Sequence, residues 1–226
     1  MVIAIIAILA GLLLPGLSRS KAQAKRIKCA SNERQIGIAY QLYTDENQDS
    51  YPIHGDWATY GGNIKGTVPT HNRLAETNRP LNRYVPAVEM FHCPADRGDS
   101  YWPTAKTAYL GWGNSYLGMW SVDWFRTKHV TADSQAPKGS KEARPIKSSE
   151  VALGASTKIL QGDWPWHGSR HDAERRWGKQ HEWHHDRGKT VFNILFADGH
   201  VENYLSPKGY EHWLLMPPPD RNFKCW

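Results

Sequence analysis

From Val2 to Leu14 the chain reads VIAIIAILAGLLL, and no charged residue appears before Arg19. As a helix, the leading 18 residues would span about 27 Å, close to the thickness of a bilayer core. The run is apolar all round, unlike a surface helix that buries a single stripe. A membrane anchor is expected, with a secretory signal peptide and a buried core helix as the alternatives. A signal peptide would open with a basic stretch and close on a small-residue cleavage pattern. The run lacks the first and offers only AGLLLPG for the second.

Pro15 is expected to kink the helix or reset its hydrogen bonds. Beyond it the pattern turns amphipathic. Ile27, Ala30, Gln35, Ile36, Ala39, Leu42 and Tyr43 recur at helical spacing, while Lys21, Lys25, Arg26, Lys28, Glu33 and Arg34 fill the remaining surface. The helix is predicted to end near Asp45, because Asn47, Gln48, Asp49 and Ser50 form a polar stop and Pro52 follows.

From Tyr51 onward the chain is rich in Gly, Pro, Asn and Trp, with short strand-like runs and no long amphipathic repeat. That texture predicts a loop-heavy antiparallel sheet. Thr157 to Asp163 reads as a buried strand ending at an acidic residue. Thr190 to Ala197, then Asp198-Gly199, then His200 to Tyr204 reads as a hairpin, since Asp-Gly supplies the turn. Tyr109 to Leu117 reads as a glycine-permitted strand or bulge lined by aromatics. Arg126 to Lys147, rich in Ser, Lys, Pro and Ala, reads as an exposed loop. Two regions follow: an N-terminal membrane and assembly helix, residues 1–48, and a globular head, residues 49–226.

Composition sharpens this picture in three places. A chain of 226 residues that is 40% hydrophobic and 22% charged holds one ordinary domain with an appendage. The net charge of +6 gathers around Arg19, Lys21, Lys25, Arg26 and Lys28. The rest is only mildly basic, which argues against a nucleic-acid partner. Cys29, Cys93 and Cys225 form no CxxC pair, so neither a disulfide framework nor a zinc finger is expected.

The run from Val2 through Pro52 resembles the N-terminal helix of type IV pilin-like proteins and type II secretion pseudopilins. It is closest to the bacterial group with a prepilin-type cleavage/methylation segment and a C-terminal H-X9-DG segment. The matching features are the VIAIIAILA core, Leu14-Pro15, the basic stretch, and then Cys29, Asn32, Arg34, Gln35, Ile36 and Gly37. The family's processing glycine and the Phe-Thr-Leu-Ile-Glu-like stretch after it do not occur, so the chain is expected to start inside the apolar run of a longer protein. The hairpin around Asp198-Gly199 resembles the H-X9-DG segment, although twelve residues separate the nearest upstream histidine, His185, from Asp198.

The resemblance implies an α+β, pilin-like fold: a long N-terminal helix packed on an antiparallel sheet with a loop-rich head. It also implies a structural, non-enzymatic subunit. Its partners would be other pilin or pseudopilin subunits through the N-terminal helix, the inner membrane, and a prepilin peptidase acting on the full-length start. The head would sit in the periplasm or at the cell surface. The basic residues after the apolar run would place the head inside by the positive-inside rule, and the resemblance takes precedence because leader residues would lie upstream. The segment Phe91-His92-Cys93-Pro94-Ala95-Asp96 matches the family's aromatic strand leading into a Cys-Pro-x-Asp turn. Cys93 is thereby a candidate disulfide partner for Cys29, two independent buried thiols being the alternative.

Two other constellations could carry chemistry. Seven of the 11 histidines lie between His167 and His212. His181, His184 and His185 are candidate ligands for a divalent metal, against the alternative of a solvated charged loop. Asp163 with His185 or His200 could serve as an acid–base pair, but no nucleophile elbow, HExxH or phosphate loop accompanies them. There are 11 Trp against 5 Phe, all of the Trp from Trp57 onward. Trp164 and Trp166, flanking Pro165, are the candidate platform for a carbohydrate or other surface ligand, core packing being the alternative. An envelope protein with a ligand-binding Trp-rich head is accordingly the alternative function.

Overall fold

The computed structural model describes residues 2–63, 66–67, 74–98, 102–123, 127–166, 183–186 and 189–204. Helix α1 runs from Val2 to Glu46, 45 residues or about 68 Å at 1.5 Å per residue. It continues through Pro15 without interruption, where a break was a possible outcome. It ends as the polar stop predicts: Asp49 N donates to Thr44 O at 2.9 Å, and Gln48 and Asp49 both take positive φ.

The head is built on an antiparallel sheet. Its strands are β2 (Tyr116–Gly118), β4 (Ile159–Asp163), β5 (His184–Asp186), β6 (Lys189–Phe196) and β7 (Val201–Tyr204). The order is β2-β4-β6-β5, with β7 also paired to β6. A separate parallel pair joins β1 (Ile53–His54) and β3 (Ala132–Asp133). The predicted hairpin is present: Leu195 pairs Val201, Gly199 takes φ +85°, and Phe196 N donates to His200 O at 3.0 Å. Strand β4 is buried along its whole length, Gln161 and the closing Asp163 included, in keeping with the expected buried strand that ends at an acidic residue.

Helix α1 lies across the sheet chiefly against β6, with β5, β7 and the 3-10 turn Val88–Phe91 alongside. The face it buries is Cys29, Asn32, Glu33, Ile36, Gly37, Ala39, Tyr40 and Thr44, a clean 3.6-residue repeat. The predicted face is met at Ile36 and Ala39, with Ala30, Gln35 and Tyr43 half-buried, and departs from the structure at three positions. Ile27 and Leu42 point outward together with Ile38, and Glu33 is fully buried. A Cβ on Gly37 would come within 3.0 Å of Leu195 Cδ1, so the missing side chain sets how closely helix and sheet approach. The core between them holds Ile36, Tyr40, Tyr116, Ile159, Ile194 and Phe196, with Tyr40 stacked on Tyr60 at 5.9 Å.

Three other segments differ from their sequence reading. Ala108–Trp112 forms a short helix, α2, rather than a strand, because Thr107 Oγ1 accepts from Leu110 N at its start and Gly113 closes it in the left-handed region. The strand begins only at Tyr116. The segment Leu81–Phe91 is built from 3-10 turns at Asn82–Tyr84 and Val88–Phe91. In place of a strand, these deliver Cys93 to the helix. Residues 127–133 are not an exposed loop: Val130 and Thr131 are fully buried, and their N–H groups donate to Met119 O.

Candidate functional site

Two features stand out, an exposed stem and a buried polar junction, both on α1. Ten large apolar residues of the stem are exposed: Val2, Ile3, Ile5, Ile6, Ile8, Leu9, Leu12, Leu13, Leu14 and Leu17. Nothing else in the described chain covers them, and the segment is long and apolar enough to cross a membrane. At about 1.5–3 kcal/mol for each such side chain fully removed from water, and with roughly two-thirds of each exposed here, the unmet burial is on the order of 10–20 kcal/mol. A lipid bilayer or a set of neighbouring apolar helices can meet it.

The junction begins where the stem ends. Cys29 of α1 and Cys93 form a disulfide, with Cα atoms 5.0 Å apart and a sequence separation of 64. Both cysteines are fully buried. His184, at the start of β5, is also buried, and its Nε2 lies 3.4 Å from Cys93 Sγ and 3.6 Å from Asp163 Oδ2. The two sulfurs and one His184 ring nitrogen all fall within 4.8 Å of one another. Asp163 Oδ2 accepts the Asn193 N–H at 2.6 Å, which fixes the carboxylate between β4 and β6.

Next to this group sits Glu33. Burial, and then the neighbouring Asp163 carboxylate, hold its carboxyl well above the usual carboxylate range, an effect that Gln161 and the Leu195 main chain offset only in part. Both Glu33 oxygens, both Gln161 amide atoms, Asp163 Oδ1, His184 Nδ1 and Asn193 Nδ2 are buried without a hydrogen-bond partner. Polar groups buried at this density are costly wherever they stay unpaired.

The predicted metal set is not assembled. His184 and His185 are neighbours on β5 and so face opposite sides of the sheet. His184 turns inward; His185 is exposed, and its carbonyl accepts from Arg26 Nη1 at 3.3 Å. His181 lies outside the described residues. Nor does Asp163 meet His185 or His200: it faces His184, and His200 Nδ1 instead sits 2.5 Å from Asp198 Oδ1 on the hairpin turn.

The predicted tryptophan platform is overturned in the same way. Trp164 and Trp166 are each only 4% exposed. The chain turns at this point, with Trp166 N donating to Asp163 O at 2.8 Å, so the two rings are not laid out on an extended edge. Trp164 stacks on Trp112 at 4.9 Å. Trp166 fills the space left by Gly162, where a Cβ would stand 2.9 Å from its ring.

Sequence reasoning placed Glu33 on the outer surface. The only sequence signal for its burial is its place in the repeat Cys29, Glu33, Ile36, Tyr40, Thr44, which becomes visible once Cys29 is fixed as inward. No protein-family model, curated protein or solved structure matches this chain. The pilin-like resemblance therefore rests on the residues quoted for it and on the architecture, a long apolar N-terminal helix on an antiparallel sheet.

Proposed function

We propose that the protein is a membrane-anchored structural subunit of a pilus-like or pseudopilus-like assembly, stored in the inner membrane through its stem and stacked through the same stem when assembled. The observation that carries this reading is the uncovered apolar stem continuous with a helix half that is locked onto the head. Such a stem can exchange lipid for the stems of other copies with little loss of apolar contact. Gly11 and Gly16 leave open space beside the helix at two points, which permits close approach of a neighbour. Prepilin peptidase is the expected processing partner of the full-length start, and the head is assigned to the outer side of the membrane. The ligand-binding alternative loses support, because Trp164 and Trp166 are in the core.

The test is mass spectrometry of the N-terminal peptide from protein isolated from its native membrane, combined with photo-crosslinking from position Ile8. An N-methylated residue upstream of Met1 and crosslinks between copies are expected. An unmodified Met1 without self-crosslinks would leave a plain anchored head, and cleavage near Gly16 would remove the anchor altogether.

A further inference from the structure

The sulfurs of Cys29 and Cys93 and a ring nitrogen of His184 lie within 4.8 Å of one another, brought together from three segments of the chain, and Asp163 Oδ2 stands beside them, 3.6 Å from His184 Nε2. A tetrahedral zinc site with Zn–S near 2.3 Å and Zn–N or Zn–O near 2.0–2.2 Å has ligand-to-ligand edges of about 3.3–3.8 Å. Two edges already have that length: 3.4 Å from Cys93 Sγ to His184 Nε2, and 3.6 Å from His184 Nε2 to Asp163 Oδ2. The sulfur–sulfur edge must lengthen and the Asp163 carboxylate must swing towards the sulfurs, movements that rotation about the side-chain bonds of the two cysteines and of Asp163 supplies. Asp163 Oδ1 is in addition buried without any hydrogen-bond donor, which leaves the carboxylate with unused acceptor capacity beside His184.

We propose that, when Cys29 and Cys93 are reduced, their two sulfurs and His184 Nε2 form a three-ligand site for a thiophilic divalent cation of the zinc class, with the neighbouring Asp163 carboxylate moving in as the fourth ligand. The disulfide and the metal are then alternative closures of one junction. Loading the reduced chain releases two thiol protons as two metal–sulfur bonds form. Conversion to the disulfide uses a disulfide oxidant such as glutathione disulfide. The oxidant's sulfur–sulfur bond takes two electrons and two solvent protons to give two thiols, the Cys29–Cys93 bond forms, and the cation leaves. His184 contributes the Nε2 lone pair and keeps its proton on Nδ1. The chemistry fits the ligand set, since thiolate and imidazole together select zinc over magnesium or calcium. Nothing here requires that the protein assemble with other copies.

The test uses the full chain in detergent micelles with Cys225→Ser, which removes the third thiol. Reduced protein is titrated with Co2+ while its absorbance is followed, with the disulfide form as control. The reduced protein is expected to bind about one equivalent with a thiolate-to-cobalt charge-transfer band and tetrahedral d–d bands, and Zn2+ is expected to bleach both. His184→Ala is expected to weaken binding by more than about tenfold and to alter the d–d bands, and Asp163→Asn to do so to a smaller extent. Absence of the charge-transfer band in the reduced protein, or an unchanged affinity and spectrum in His184→Ala, would overturn the proposal. If reduction unfolds the head, Zn2+ must restore its circular dichroism; failure to do so overturns the proposal equally.

Discussion

Between Val2 and Leu17, α1 carries ten large apolar side chains that are all exposed, whereas between Cys29 and Thr44 it buries a carboxyl, an amide and two hydroxyls. Within one unbroken helix the apolar half faces outward and the half with buried polar groups faces the core. The stem lacks a partner inside its own chain, so its stability and its function are both set by what surrounds the molecule. The rear half has its partners in the sheet, and there the cost of desolvating Glu33, Asp163 and His184 is carried by the head's own core. A helix that folded for packing alone would place these two stretches the other way round.

The contrast can be broken most strongly at the stem. Ile6→Lys with Leu9→Lys should cost about 5–7 kcal/mol of membrane insertion, shifting the protein into the soluble fraction on carbonate extraction. The melting temperature of the head should stay unchanged. Equal loss in both assays would mean that the stem belongs to the fold.

The next largest effect belongs to the disulfide. Cys29→Ala with Cys93→Ala should lower stability by about 4 kcal/mol, given the separation of 64 residues, as read by urea denaturation. Membrane partition should be left intact, the mirror image of the stem variant.

Glu33→Gln tests whether the buried carboxyl opposes stability. Its folded pKa is raised above the ordinary value of 4.5 by burial and by Asp163. The native state therefore keeps its proton where the unfolded chain has lost it. The stabilisation is complete below about pH 4.5 and is lost as pH rises towards the native pKa. Glu33→Gln should remove that pH dependence and raise stability at neutral pH by about 1–3 kcal/mol. A destabilised, still pH-dependent variant would show that Glu33 is paired. The smallest expected effect is at the edge of the helix–sheet contact: Arg26, its side chain largely covered, reaches the exposed Asp186 Oδ1 at 3.1 Å, and Arg26→Ala should cost about 1 kcal/mol in thermal melts.

The stem, the helix end at Glu46, strand β4 and the β6–β7 hairpin were legible in the sequence because each is announced by periodicity or turn chemistry. The helix phase was legible only in part, at Ile36 and Ala39. Ile27, Ile38 and Leu42 are apolar yet outward, and hydropathy alone cannot separate a residue turned to the core from one turned to a neighbouring molecule. Glu33 escaped for the opposite reason: a charge reads as surface unless another residue fixes the inward side. Trp164 and Trp166 read as an extended pair because nothing local revealed the turn after Asp163 or the space beside Gly162. His184 and His185 were read together, although one residue of strand register sends them to opposite faces.

The Cys29–Cys93 crosslink also sets how the molecule carries tension. A pull applied to the stem reaches Cys29 and passes through the sulfur–sulfur bond to Cys93, so the 63 residues between them lie in a closed covalent ring outside the load path. Glu33, Ile36 and Tyr40 sit inside that ring. Traction on the anchor therefore tugs at the chain beyond Cys93 and leaves the rear half of α1 in place, as a splice protects the slack rope within it.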